Sequence, residues 1–160
     1  MFVDTSRFPF GINIDYESDE EVEGLQAMEA KAREFIDRDP YTQPIAELIL
    51  AFGIESILAL FLVRFVAPRK LEDSERWVVV GNCPSMHFET DDAPTPAIAL
   101  RLYCAIAQDW ADNILAGDDL DDSYPIAAAE TEENARDLLS RIEFVREELI
   151  PLAEPRILDS

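Results

Sequence analysis

The segment Arg76-Trp77-Val78-Val79-Val80-Gly81-Asn82-Cys83-Pro84-Ser85-Met86-His87-Phe88-Glu89-Thr90 separates an all-helical chain from one that carries a sheet. Trp77 to Val80 are aromatic and β-branched, and too few for a helix, so they predict a strand. Gly81 to Ser85 have the chemistry of a turn. Met86, Phe88 and Thr90 then alternate with His87 and Glu89, which predicts a return strand with Met86 and Phe88 on its covered face. A β-hairpin is therefore expected at the structural centre. It holds the only histidine and one of the two cysteines.

Upstream, Thr42-Gln43-Pro44 opens a long apolar stretch, with Pro44 suited to a first helical position. From Ile45 to Ala67 the residues are apolar on most faces. The length approaches that of a membrane span. Glu47, Glu55 and Arg64 are spread through it, however, and each is costly at membrane depth. Gly53 interrupts it as well. The expectation is a buried central helix, or two helices meeting near Gly53, stopped by Pro68. Arg69 to Glu75 then form a charged connector.

The N-terminal part begins with Phe10, Ile12, Ile14 and Tyr16 alternating with Gly11, Asn13 and Asp15, a half-buried strand pattern. Ser18 and Glu21 make a capping box, and Asp19, Glu20, Glu21 and Glu23 suit the positive end of a helix. Val22, Leu25, Met28, Ala32, Phe35 and Ile36 form its apolar face, and Arg38-Asp39-Pro40 ends it. Downstream, Asp91 to Pro94 are a loop, and Thr95-Pro96 is a cap followed by proline at the first helical position. Leu102, Tyr103, Ile106, Trp110 and Ile114 form a stripe that closes at Gly117. After an acidic loop, Thr131 caps a last helix with Ala135, Leu138, Leu139, Ile142, Val145 and Leu149 on its face and Pro151 at its end. The fold expected is α+β in one domain, residues 1–160. It is mostly helical, with four to five helices and an antiparallel sheet of two to three strands.

The composition is that of a globular chain, with 48% apolar residues in 160. Two cysteines, Cys83 and Cys104, are no disulfide framework. The N-terminus lacks a basic region followed by an apolar core, so reduced thiols in a cytoplasmic protein are expected. Lys and Arg total 13 against 34 Asp and Glu, a net charge of −21. Such a surface repels phosphate backbones and anionic membranes, which argues against nucleic acid and membrane as partners. It attracts cations and basic proteins.

Three constellations are candidates for chemistry. Cys83 and His87, with Glu89 on the same strand face as His87, combine a thiol, an imidazole and a carboxylate. A zinc site needs about four ligands, and Cys104 lies on a helix, so no metal is expected there. Ser85 lies two residues from His87 but has no nucleophile elbow around it. Asp109, Asp112, Asp118, Asp119, Asp121 and Asp122 are the densest acidic patch, and they lack the EF-hand pattern. They are the expected contact for a basic partner. Trp77, Tyr103 and Trp110 are expected in the core. No glycine-rich phosphate loop exists among only 5 glycines, and no cofactor is expected.

The segment Trp77 to Ser85, taken together with Asp91-Asp92-Ala93-Pro94-Thr95-Pro96 running on to Tyr103-Cys104 and Trp110, resembles a family of small acidic bacterial proteins of unknown function. The likeness covers about residues 76–150. It implies a bacterial cytosolic protein and carries no catalytic residues with it.

Taken together, these features predict a non-enzymatic acidic domain that docks a basic protein partner, in an immunity-type or regulatory role. Two alternatives stay open. One is a small enzyme or metal-binding protein that uses His87 with Cys83 or Glu89. The other is a structural homo-oligomer, a homodimer through the apolar 54–66 segment.

Overall fold

A computed structural model of the chain describes residues 3, 19–38, 44–54, 57–66, 74–121, 123, 126 and 128–153. Among them are three helices and one sheet. Helix α1 (Asp19–Asp37) precedes strands β1 (Ile45–Ile54), β2 (Leu58–Phe65), β3 (Glu75–Gly81) and β4 (Met86–Glu89). Helix α2 (Pro96–Ala116) and helix α3 (Glu132–Phe144) follow. Helix α3 continues through a π-helical turn at Val145–Leu149 and a short α-helical turn at Ile150–Ala153. The expected strand at residues 10–16, the Ser18 cap, the Asp39-Pro40 stop and Pro68 lie outside the described residues.

The four strands form an antiparallel meander in the order β1-β2-β3-β4. The helix expected over Ile45–Ala67 is thus not found: the described residues of the segment carry strands β1 and β2. The hairpin β1–β2 occupies this segment, with Ile57 N–H donating back to Ile54 O where the chain reverses. This corrects the expected architecture: the class is α+β, but the sheet has four strands rather than two to three, and the helices are three rather than four to five. The physical reason is that the sheet is covered on both faces. A strand buried on both sides has no polar alternation, and its apolar run cannot be told from a buried helix by periodicity. In β2, seven of the eight residues are buried and Arg64 alone is half-buried.

The alternation appears only when the two helical layers are in place. Ala59, Phe61, Val63, Phe65, Val78 and Val80 pack with Leu25, Met28, Ala32 and Ile36 of α1. Leu58, Leu60, Leu62, Trp77, Val79, Met86 and Phe88 pack with Leu100, Tyr103, Cys104, Ala107 and Trp110 of α2 and with Ala135, Leu138 and Ile142 of α3. The apolarity of 54–66 that suggested a subunit interface is therefore largely covered within the chain, and Ile57 and Val66 are its exposed members. Among the described residues, no helix is long and apolar enough to cross a membrane.

Edge strand β1 has register shifts at Ile45/Glu47 and Leu50/Phe52. Bulges of this kind twist an edge away from further pairing. The hairpin β3–β4 agrees with expectation, as do the Thr95 and Thr131 caps. Thr95 Oγ1 accepts from Ile98 N–H, and Thr131 Oγ1 accepts from Asn134 N–H. Pro151 does not end the last helix but lies inside its final turn. A proline there has no N–H for the preceding turn. The ladder widens to a π turn just before it, with Ile150 N–H reaching Val145 O.

Candidate functional site

Two regions gather the candidate residues. The first lies at the C-terminal end of α2. Gly117, at φ 76°, closes the helix; its N–H donates to Ile114 O, and Asp118 N–H donates to Asn113 O at 2.9 Å. This is a Schellman ending, and it turns the chain back along the last helical turns. Ser123 consequently bridges two of their side chains: its Oγ donates to Asp109 Oδ2 at 2.7 Å and accepts from Asn113 Nδ2 at 2.8 Å. Asp119 Oδ1 accepts from Asp121 N–H at 3.2 Å. Asp109, Asn113, Asp118, Asp119 and Ser123 line a polar hollow of about 340 Å³.

The structure thus brings Asp109, Asp118 and Asp119 together, with Asp112 and Asp121 exposed near them. Asp122 lies outside the described residues. The placement opposes the helix dipole. A helix C-terminus carries partial negative charge and favours cations, yet α2 has no basic residue in its last turn. Carboxylates on that pole reinforce the negative potential.

The second region is the β3–β4 turn, which receives one side chain from each helix. Lys31 Nζ of α1 donates to Gly81 O at 3.1 Å, Arg141 Nη1 of α3 donates to Asn82 O at 3.0 Å, and Tyr103 OH of α2 donates to Pro84 O at 3.0 Å. Gly81 has φ 139°, and a Cβ there would lie 2.4 Å from Ile57 O. The turn is therefore held against the β1–β2 connection by a close backbone approach that only glycine permits.

Cys83 sits in this turn, half-buried, on the α2 and α3 side of the sheet. Burial pushes its thiol pKa up, opposed by the hydrogen bond with Tyr103 and then by the charges of Lys31 and Arg141. Burial also raises the Tyr103 hydroxyl, as does neighbouring Cys83. A nucleophilic cysteine needs the opposite shift, toward thiolate. Cys104 faces the core, its Sγ 3.9 Å from Ile142 O, and burial lifts its thiol to about 11.

His87 belongs to the other side. Arg76 Nε donates to its Nδ1 at 2.8 Å, and its ring meets Phe35 of α1 edge-on, with centroids 5.6 Å apart. Because Arg only donates, Nδ1 is the acceptor nitrogen of the imidazole. Glu89 stands opposite Arg76 in the ladder and is exposed. The structure thus groups His87 with Arg76 near Glu89 and places Cys83 across the sheet from them. Among the described residues, no group of three or more His, Cys, Asp or Glu side chains converges in a way that could hold a metal ion.

Sequence reasoning missed the polar group at the foot of the sheet. Glu75, the first residue of β3, is 2% exposed. Its Oε2 accepts from Arg64 Nε at 2.8 Å, and its Oε1 accepts from Val3 N–H at 2.8 Å. Arg64 also lies 3.6 Å from Glu47 Oε2. Extending the alternation of Trp77 and Val79 back by two residues would have placed Glu75 on the same covered face. It also missed Lys31 and Arg141 as braces of the turn, because their partners are carbonyls distant in sequence.

Comparison with protein-family models, with curated proteins and with solved structures finds no match to this chain. The expected likeness of residues 76–150 to small acidic bacterial proteins is not supported by these comparisons.

Proposed function

We propose that this chain is a non-enzymatic acidic docking protein, and that the carboxylates around the α2 C-terminus receive a basic protein partner. The observation that carries this is the placement of Asp118, Asp119 and Asp121 just past the negative pole of a 21-residue helix that has no basic residue in its last turn, with Asp109 and Asp112 on the turns before it. This arrangement costs local stability and creates a focused negative potential. Immunity-type neutralisation of a cationic protein, or regulation of one, is the kind of role it suits in a cytoplasmic setting. The raised thiol of Cys83, across the sheet from His87, favours binding over covalent catalysis.

The test must separate a local site from the general charge of the chain. Asp118→Asn, Asp119→Asn and Asp121→Asn together reduce the net charge from −21 to −18. A control with Glu130→Gln, Glu133→Gln and Glu147→Gln, all exposed, reaches the same charge. Binding of a labelled oligo-arginine peptide is measured at low and at moderate ionic strength. The aspartate variant is expected to bind at least tenfold more weakly than the control, with a shallower dependence on salt. Equal losses in the two variants would show that net charge alone attracts the probe.

A further inference from the structure

On the side of the molecule where Cys83 lies, Ile57, Leu58, Asn82, Cys83, Ser140, Arg141, Phe144 and Val145 enclose an open depression of about 390 Å³. The volume falls within the range of small-molecule sites. Its lining is mostly apolar, and two of its residues are unusually bare for their size: Ile57 is 39% exposed and Phe144 44%. Arg141 is the one charged side chain among the described residues that line it. Arg141 spends Nη1 on Asn82 O, and a guanidinium has five N–H donors. The depression is also where the last helix departs from α geometry, since the π turn begins at Val145, directly after Phe144. Such turns are frequent at functional sites.

We propose that this depression is a binding site for a small amphipathic monocarboxylate. The alkyl chain lies between Ile57 and Phe144, and the carboxylate is received by the guanidinium of Arg141. Charge complementarity selects the anion. A carboxylate carries one charge and matches one guanidinium in a fork geometry. A phosphate dianion would bring a second charge into a chain of net charge −21 with no second cation in the lining to meet it. The apolar walls select the chain, because the area they remove from water is what a half-open site has to offer. The site is separate from the acidic hollow and does not rest on its assignment.

The experiment follows backbone amide shifts of the full-length protein by NMR during titration with sodium octanoate, sodium acetate and octylammonium chloride. Octanoate is expected to give saturable shifts centred on Asn82, Cys83, Ser140, Arg141 and Phe144. Acetate and octylammonium are expected to give none there. Arg141→Gln, at an exposed position, is expected to keep the spectral dispersion of the folded protein and to weaken octanoate binding about tenfold. Phe144→Asp, also exposed, is expected to weaken it by a similar factor. Several results would overturn the proposal: no saturable shift with octanoate, equal binding of octylammonium, or unchanged affinity in Arg141→Gln. The same holds if these amides shift on dilution of the protein alone, which would assign the surface to a second copy of the chain.

Discussion

Arg64 and Glu75 face each other across the β2–β3 ladder with Nε donating to Oε2 at 2.8 Å, and Glu75 is almost wholly buried there. The carboxylate has one further tie, Oε1 accepting from Val3 N–H at 2.8 Å. Removing one member of such a pair leaves the other uncompensated. Arg64→Ala is expected to cost about 3 kcal/mol in urea unfolding, the lower end for a buried pair because Arg64 keeps some solvent. The double variant Arg64→Met with Glu75→Leu is expected to lose less than Arg64→Ala. A double variant as unstable as the sum of its single changes would contradict this account.

Gly81 and Gly53 are both tightly approached, but by different kinds of atom. A Cβ at Gly81 meets the Ile57 carbonyl at 2.4 Å in a backbone region that L side chains rarely adopt. A Cβ at Gly53 meets the end of the Leu25 side chain at 2.8 Å, and that group can turn aside. Gly81→Ala is expected to destabilise by about 3 kcal/mol or to prevent folding, and Gly53→Ala by about 1 kcal/mol. Thermal unfolding of the two variants side by side checks the order.

The Cys104 thiol gives stability a pH dependence. Its ordinary pKa of 9.0 is raised to about 11 in the folded protein. Below pH 9 both folded and unfolded chains hold the proton, and the neutral thiol costs nothing. Between about pH 9 and pH 11 the unfolded chain gives up its proton while the folded chain retains it. Stability therefore falls across that window, on the order of 1–2 kcal/mol by its upper end. Urea midpoints at pH 7.5 and 10.5 are expected to differ less in Cys104→Ala than in the native chain. Alkylation at pH 8 is expected to reach Cys83 in the folded state and Cys104 only on unfolding.

Asp118 sits just past the negative end of α2, where a carboxylate is unfavourable. Asp118→Asn is expected to stabilise the protein by about 0.3–1 kcal/mol at low ionic strength. The gain should shrink in 1 M salt, where the Debye length is about 3 Å. A loss of stability would show that the carboxylate supports the loop instead.

The parts of the fold that could be read along the chain are those whose signals are local. The strand at Trp77 to Val80, the turn at Gly81 to Ser85, and the Thr95-Pro96 and Thr131 caps depend on neighbours within a few residues. The core role of Trp77, Tyr103 and Trp110 was equally legible, because large aromatic groups at the right period have few alternatives. The acidic cluster could be foreseen as a patch, since four of its members adjoin one another in the loop. Its position on the α2 pole could not, because it depends on how Gly117 and Ser123 bend the chain back.

The segment Ile45 to Val66 marks the boundary. Its residue types establish that it is buried, and they leave open whether it buries itself as one helix or two strands. The two helical layers resolve this. With α1 on one face and α2 and α3 on the other, every residue of β2 except Arg64 finds an apolar neighbour, so nothing along the strand needs to be polar. The same layers set His87 and Cys83 on opposite sides of the sheet although they are only four positions apart in sequence. His87 follows the alternation of β4 and turns toward Phe35 of α1, whereas Cys83 stands in the turn, outside that alternation, and packs with the α2 and α3 layer.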